Sequence, residues 1–136
     1  MTPLDTAINT AFTGNATLTT AFPGGLWPDL ADAEAAMPYL VYTVLSGRLN
    51  QIVYGNKKHA KVYIRFQAIG PGKDATAVLA DTFTGIFDDT VLTLSNGQNY
   101  ACDRQQDPIP SLWQQRTGGA KDIWAYTVEY LYQTRT

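Results

Sequence analysis

Residues 61–88 read KVYIRFQAIGPGKDATAVLADTFTGIFD, and this stretch decides the fold. Within Ala60 to Ile69, Val62, Ile64, Phe66 and Ala68 alternate with Lys61, Tyr63, Arg65 and Gln67. A period of two predicts a strand in a sheet with one covered face. Gly70-Pro71-Gly72 ends that strand and starts a helix. There Ala75, Val78, Leu79, Thr82, Phe83, Ile86 and Phe87 recur at i, i+3, i+4 and i+7 spacing through to Asp88. Helices bury such stripes by default, so this one is read as core packing against the sheet and not as a ligand groove.

Toward the N-terminus, Thr2-Pro3 reads as an N-cap with proline in the first turn. Leu4, Ile8, Ala11 and Phe12 then recur at helical spacing, and Gly14-Asn15 can stop the helix. Leu18 to Phe22 fits either a short helical turn or a loop. Pro23-Gly24-Gly25 and Pro28 punctuate the next stretch, and Asp29 to Met37 carries no apolar stripe, so a loop or one irregular turn is expected there. Pro38 opens a strand over Tyr39 to Leu45, rich in β-branched and aromatic residues. The polar segment Gly47 to His59 reads as a long hairpin excursion.

Toward the C-terminus, Val91 to Ser95, Asn96-Gly97 and Gln98 to Cys102 form a two-residue hairpin signal. Pro108-Ile109-Pro110 is expected as an extended connection, Leu112 to Arg116 as a short strand, and Thr117 to Ala120 as a turn. Ile123 to Tyr132 closes the chain as a long strand with Trp124, Tyr126, Val128, Tyr130 and Tyr132 on one side. Neither an internal repeat nor linker composition divides residues 1–136, so a single domain is expected. The fold class is α+β: a mainly antiparallel sheet with two helices packed on one face. The helix from Asp74 to Phe87 between strands leaves room for a parallel pair.

Composition narrows the function. With 45% hydrophobic and 16% charged residues the chain is expected to fold, and its surface to be rich in neutral polar groups. The formal net charge of −2 supplies no footprint for wrapping nucleic acid. Lys57, Lys58, His59 and Lys61, with Arg48 across the loop, make the one basic cluster. Cys102 is the sole cysteine, which excludes intramolecular disulfides and a cysteine-based metal site. The start MTPLDTAINTAF lacks the basic and apolar regions of a signal peptide, and no window is long enough to span a membrane. A reducing cytoplasm is the expected compartment.

Catalytic chemistry finds little to work with. His59 is the single histidine and lies beside lysines, without a nucleophile motif or an orienting partner. Asp29, Asp32 and Glu34, Asp88-Asp89, and Asp103 with Asp107 lack the alternating spacing and glycine turn of a calcium loop. Gly24-Gly25 and Gly118-Gly119 match no phosphate or dinucleotide fingerprint and read as turns. The aromatics are more telling: three Trp, eight Tyr and five Phe exceed what one small core uses. Tyr and Trp pair an apolar body with a polar tip and suit protein interfaces. Tyr54 and Tyr63, near the polar excursion, are the favoured interface aromatics.

The order of these segments is itself informative. An N-terminal helix precedes Leu26-Trp27-Pro28, Pro38-Tyr39-Leu40-Val41-Tyr42 and the strand Val62-Tyr63-Ile64-Arg65-Phe66-Gln67-Ala68, followed by the helix Ala75 to Phe87 and the aromatic strand Trp124 to Tyr132. This order resembles the tail-completion family of long-tailed bacteriophages and prophages, the tail-terminator and head–tail joining proteins. The segment from Pro108 to Arg116 is longer than the family minimum. The resemblance implies a non-enzymatic structural protein without cofactor or metal. It would cap the tail tube as a homo-oligomeric ring, often a hexamer, ending tail growth and offering a surface for head attachment. The implied partners are the tail tube protein and a head-completion or neck protein, with no membrane and no specific nucleic-acid binding, the ring leaving room for DNA to pass. The implied place is the virion tail, assembled in the host cytoplasm. Arg48, Asn50, Gln51, Tyr54, Lys57, Lys58 and Tyr63 are the expected subunit or tail-tube contacts. The alternatives are a head-side neck or adaptor protein, or an unrelated small ligand-binding or hydrolytic α+β domain.

Overall fold

A computed structural model describes residues 3–32, 34–45, 52–54, 57–59, 61–88, 90–93, 99–116 and 118–135. Among the described residues there are three helices: α1 (Pro3–Thr13), α2 (Ala16–Ala21) and α3 (Lys73–Phe87). The strands are β1 (Leu26–Pro28), β2 (Tyr39–Val44), β3 (Ile52–Tyr54), β4 (Lys57–His59), β5 (Lys61–Pro71), β6 (Val91–Thr93), β7 (Asn99–Arg104), β8 (Ile109–Gln114) and β9 (Ile123–Arg135). The main sheet has the order β1-β2-β5-β9-β7-β6, with β8 also paired to β9. It is an α+β fold built on a mostly antiparallel sheet. The β3–β4 hairpin stands apart as its own two-stranded ribbon.

The spine of the sheet is the β5–β9 ladder, in register from Lys61↔Gln133 to Pro71↔Ile123. Along it the alternation in β5 is met row by row by the alternation in β9: Ile64 opposes Tyr130, Phe66 opposes Val128, Ala68 opposes Tyr126. These side chains and Leu40, Tyr42, Phe83, Phe87 and Tyr100 form one buried cluster under the helices. Phe66 is its hub. Its ring centroid lies 5.0 Å from Phe83, 5.3 Å from Phe87, 5.8 Å from Tyr130 and 6.4 Å from Tyr42. Tilted and edge-on contacts of this kind add to what burial alone contributes.

Two hydroxyls tie helices to the sheet. Tyr42 on β2 donates to Asp5 Oδ1 in the first turn of α1 at 2.8 Å. Tyr130 on β9 donates to Asp88 Oδ1 at the end of α3 at 2.7 Å. An acid at a helix C-terminus opposes the macrodipole, but Asp88 is also 3.6 Å from the Arg104 guanidinium on β7. The aspartate therefore serves tertiary structure at some cost to the helix end.

The chain departs from the sequence reading in several places. Leu18 to Phe22 resolves into α2, capped by Asn15, whose side chain accepts from the Leu18 N–H at 3.1 Å. The parallel pair is β1–β2. It does not flank α3, because β5 and β6 are separated by β9 and β7 and run in opposite directions. The expected strand at Leu112 to Arg116 begins earlier, at Ile109, and takes in most of the expected Pro108–Pro110 connection. Its pairing with β9 overrides the proline signal, since a strand on a sheet edge tolerates a missing donor. β1 exists because Gly24 approaches the Ala36 carbonyl more closely than any Cβ would permit. That approach lets Leu40 donate to the Gly25 carbonyl at 2.9 Å and Trp27 Nε1 to the Gly24 carbonyl at 2.8 Å.

Phe66→Ala should destabilise the fold by about 3–5 kcal/mol, read from urea unfolding, because it empties the centre of the ring cluster. A second test concerns alkali. Burial, then the Asp5 hydrogen bond and charge, push the Tyr42 hydroxyl from 10.0 up to about 12. Burial raises Tyr130 further, with Asp88 adding to it, and burial also raises Tyr39, Tyr100 and Tyr132. Above pH 10.0 the unfolded chain releases protons that the folded chain keeps. Stability present below that pH should fall as pH rises toward about 12, at up to about 1.4 kcal/mol per pH unit for each such tyrosine. Urea midpoints that stay flat across this range would contradict the linkage.

Candidate interaction surface

Strand parity that sends Ile64, Phe66, Tyr130 and Tyr132 under the helices sends their neighbours to the opposite face. That face is covered at one end. Tyr39, Val41, Ile69, Ile123 and Ala125 form a second buried cluster, with Trp27, Ala31, Ala35 and Met37 packed on it. The segment from Asp29 to Met37, without periodicity of its own, is the lid over this cluster. Asp29 begins it in a left-handed conformation, φ 60°, and its N–H donates to the Tyr42 carbonyl at 2.8 Å.

Beyond the lid the face becomes polar and then apolar again. Gln67 Nε2 donates to Thr127 Oγ1 at 3.4 Å, and in the next row Arg65 Nη2 meets Glu129 Oε1 at 3.1 Å. With side chains 41% and 28% exposed, this ion pair contributes at most about 1 kcal/mol and mainly keeps the centre of the face hydrophilic. Past it, Tyr63 lies opposite Leu131, and the Leu45 N–H donates to the Tyr63 carbonyl at 2.9 Å. Tyr63, Leu45 and Val91 are exposed large hydrophobics at this end.

The margin beside β9 is shared end to end by β7 and β8. β7 pairs with the C-terminal half of β9 and β8 with the N-terminal half. Every residue of β8 is exposed, including Ile109, Leu112 and Trp113, each roughly half accessible. A shift in register between Leu112 and Gln114 bulges Trp113 out of the ladder. Pro110 removes a backbone donor from this strand, and Pro28 ends β1 at the other margin of the sheet. Proline at sheet edges blunts strand-to-strand addition.

The expected contact residues fall in three groups. Arg48, Asn50 and Gln51 lie outside the described residues. Tyr54, Lys57 and Lys58 belong to the β3–β4 ribbon, where Tyr54 pairs with Lys57 and Val53 with Lys58. Tyr63 stands on the open face of the main sheet, 42% exposed. The ribbon adjoins the end of β5 that carries Tyr63, so both fall at the same end of the molecule. Sequence reading missed the first half of β8 and the lid. The signal available was Pro108, Ile109, Pro110, Leu112 and Trp113, broken by Ser111 alone, in an otherwise polar stretch.

No family model matches the chain, and no curated protein is similar to it in sequence. A solved structure of a protein that bears no functional name is similar over 97% of this chain and 96% of its own length. Its TM-score is 0.54 at 15% identity, a likeness of fold alone.

Leu45, Val91 and Ile109 lie outside both buried clusters. Replacing the three together by Ser should change unfolding free energy by less than about 0.5 kcal/mol per site. The same variant should bind clearly less of a dye that fluoresces on apolar surface, and equal dye binding would argue against an open apolar face.

Proposed function

We propose that the chain is a structural ring subunit of the tail-terminator kind, capping a phage tail tube, ending its growth and offering a surface to the head. The observation that carries this reading is the asymmetry of the sheet. One face is closed by three helices, while the other exposes Ile109 and Trp113 of β8 and the apolar side chains around Tyr63. Apolar surface of this kind, broken by polar groups, favours association with other proteins. A heterologous contact between copies closes into a ring when its rotation divides the circle, and each contact can then be modest. The segment order that resembles the tail-completion family supplies the biological setting. In this reading the protein is not an enzyme. Its partners are further copies of itself, the tail tube protein and a neck protein.

The test is to delete the coding sequence from the genome that carries it and to examine particles by electron microscopy. Tails of abnormal length without heads are the expected outcome. Normal-length tails left unjoined would favour a head-side neck role instead. Complete particles, or a genome without any viral assembly genes around this one, would overturn the proposal.

A further inference from the structure

At the lidded end of the open face, the segment from Asp29 to Met37 and the exposed β8 strand enclose a groove of about 180 Å³. Tyr39, Val41 and Ile69 form its floor, Trp113 one wall, and Asp29 and Asp32 stand on its rim. That volume is below the usual range of about 300–1,000 Å³ for small-molecule sites, but it suits one or two protein side chains. An apolar socket flanked by charge is the form that a central interface contact takes.

The charges of the two segments are sorted to match it, with one basic group also at the groove, Arg116, whose guanidinium lies 3.9 Å from Met37 Sδ. Residues 26–37 contain Asp29, Asp32 and Glu34 and no Lys or Arg, whereas residues 46–61 contain Arg48, Lys57, Lys58 and Lys61 and no acid. The basic segment includes the β3–β4 ribbon, which also brings Ile52, Val53 and Tyr54. Apolar residues bordered by lysines are what an apolar floor bordered by aspartates would accept. The two cannot meet within one molecule. The ribbon runs into β5 at Lys61, and the groove floor lies at Ile69, eight residues along the same strand. At about 3.3 Å per residue this separates them by about 26 Å. A ligand feature and its receptor at opposite ends of one subunit define a heterologous, head-to-tail contact.

We infer that the groove between the lid and β8 receives the β3–β4 ribbon of a second copy of this chain. The choice of a second copy as occupant rests on the ring reading above and specifies which surfaces make the ring. Opposite charge at the rim sets the orientation of the incoming copy and speeds its encounter, while the socket holds it.

Charge reversal tests this with the whole protein. One variant carries Asp32→Lys and Glu34→Lys, which leaves the left-handed Asp29 untouched; the other carries Lys57→Glu and Lys58→Glu. Sedimentation is followed from micromolar to millimolar protein. Wild type should self-associate, and each variant alone should do so about 10–100-fold more weakly. An equimolar mixture of the two should recover association between unlike copies, a recovery that a misfolded variant could not give. Trp113→Ser should weaken wild-type association under conditions where circular dichroism shows the variant still folded. Association that ignores both charge reversals, or loss without recovery on mixing, would overturn the groove assignment and leave the ring reading standing. A wild type that stays monomeric throughout would overturn the groove assignment, whereas the ring reading is decided by the deletion particles.

Discussion

The register between β5 and β9 is the constraint on which the rest of the molecule depends. Sheet side chains alternate strictly, so a slip of one residue would turn Phe66 and Ile64 outward and bring Arg65 and Gln67 beneath α3. The ladder runs the full length of β5, and β2, β7 and β8 take their registers from its two members. Once those rows are set, the composition of both faces is determined. The helix side is aromatic and closed, and the other side is mixed and partly open.

This arrangement accounts for the surplus of aromatic residues. Phe66, Phe83, Phe87, Tyr130 and Tyr132 are consumed by the core, and Tyr42 and Tyr130 also use their hydroxyls to fix the ends of helices. Trp113 and Tyr63 are left largely outside it. The two populations differ in what they face more than in what they are. Rings under the helices hold secondary structure together, and rings on the open side present apolar area to other surfaces.

The parts of the fold that were legible in the sequence are those whose pattern is local. Val62 to Ala68 alternates and is buried as read. The helix from Ala75 to Phe87 was legible as a helix, but its buried face is Thr76, Ala80, Phe83, Thr84 and Phe87, turned from the expected stripe so that Ala75 and Val78 face outward. β1 and β8 were harder to read for physical reasons. β1 is three residues long and depends on a close approach between Gly24 and Ala36 that no spacing rule encodes. β8 pairs with a strand later in the chain, Ser111 lying opposite Ala125, so its proline-bearing run becomes a strand only when β9 is present. The same holds for the surface. Tyr63 could be named from alternation, but the groove draws on Asp29 to Met37, β2, β5 and β8 at once. Its walls come from remote segments, and Asp29 to Met37 shows no period of its own.

Pro28 on β1 and Pro110 on β8 each interrupt an exposed strand of the sheet and bear on how this protein behaves when crowded. A strand edge with its full complement of amides invites indefinite growth, the route by which sheets become fibrils. An interrupted edge confines recognition to side-chain shape and charge, which form and release quickly. A molecule built this way keeps the ability to let go of a wrong neighbour.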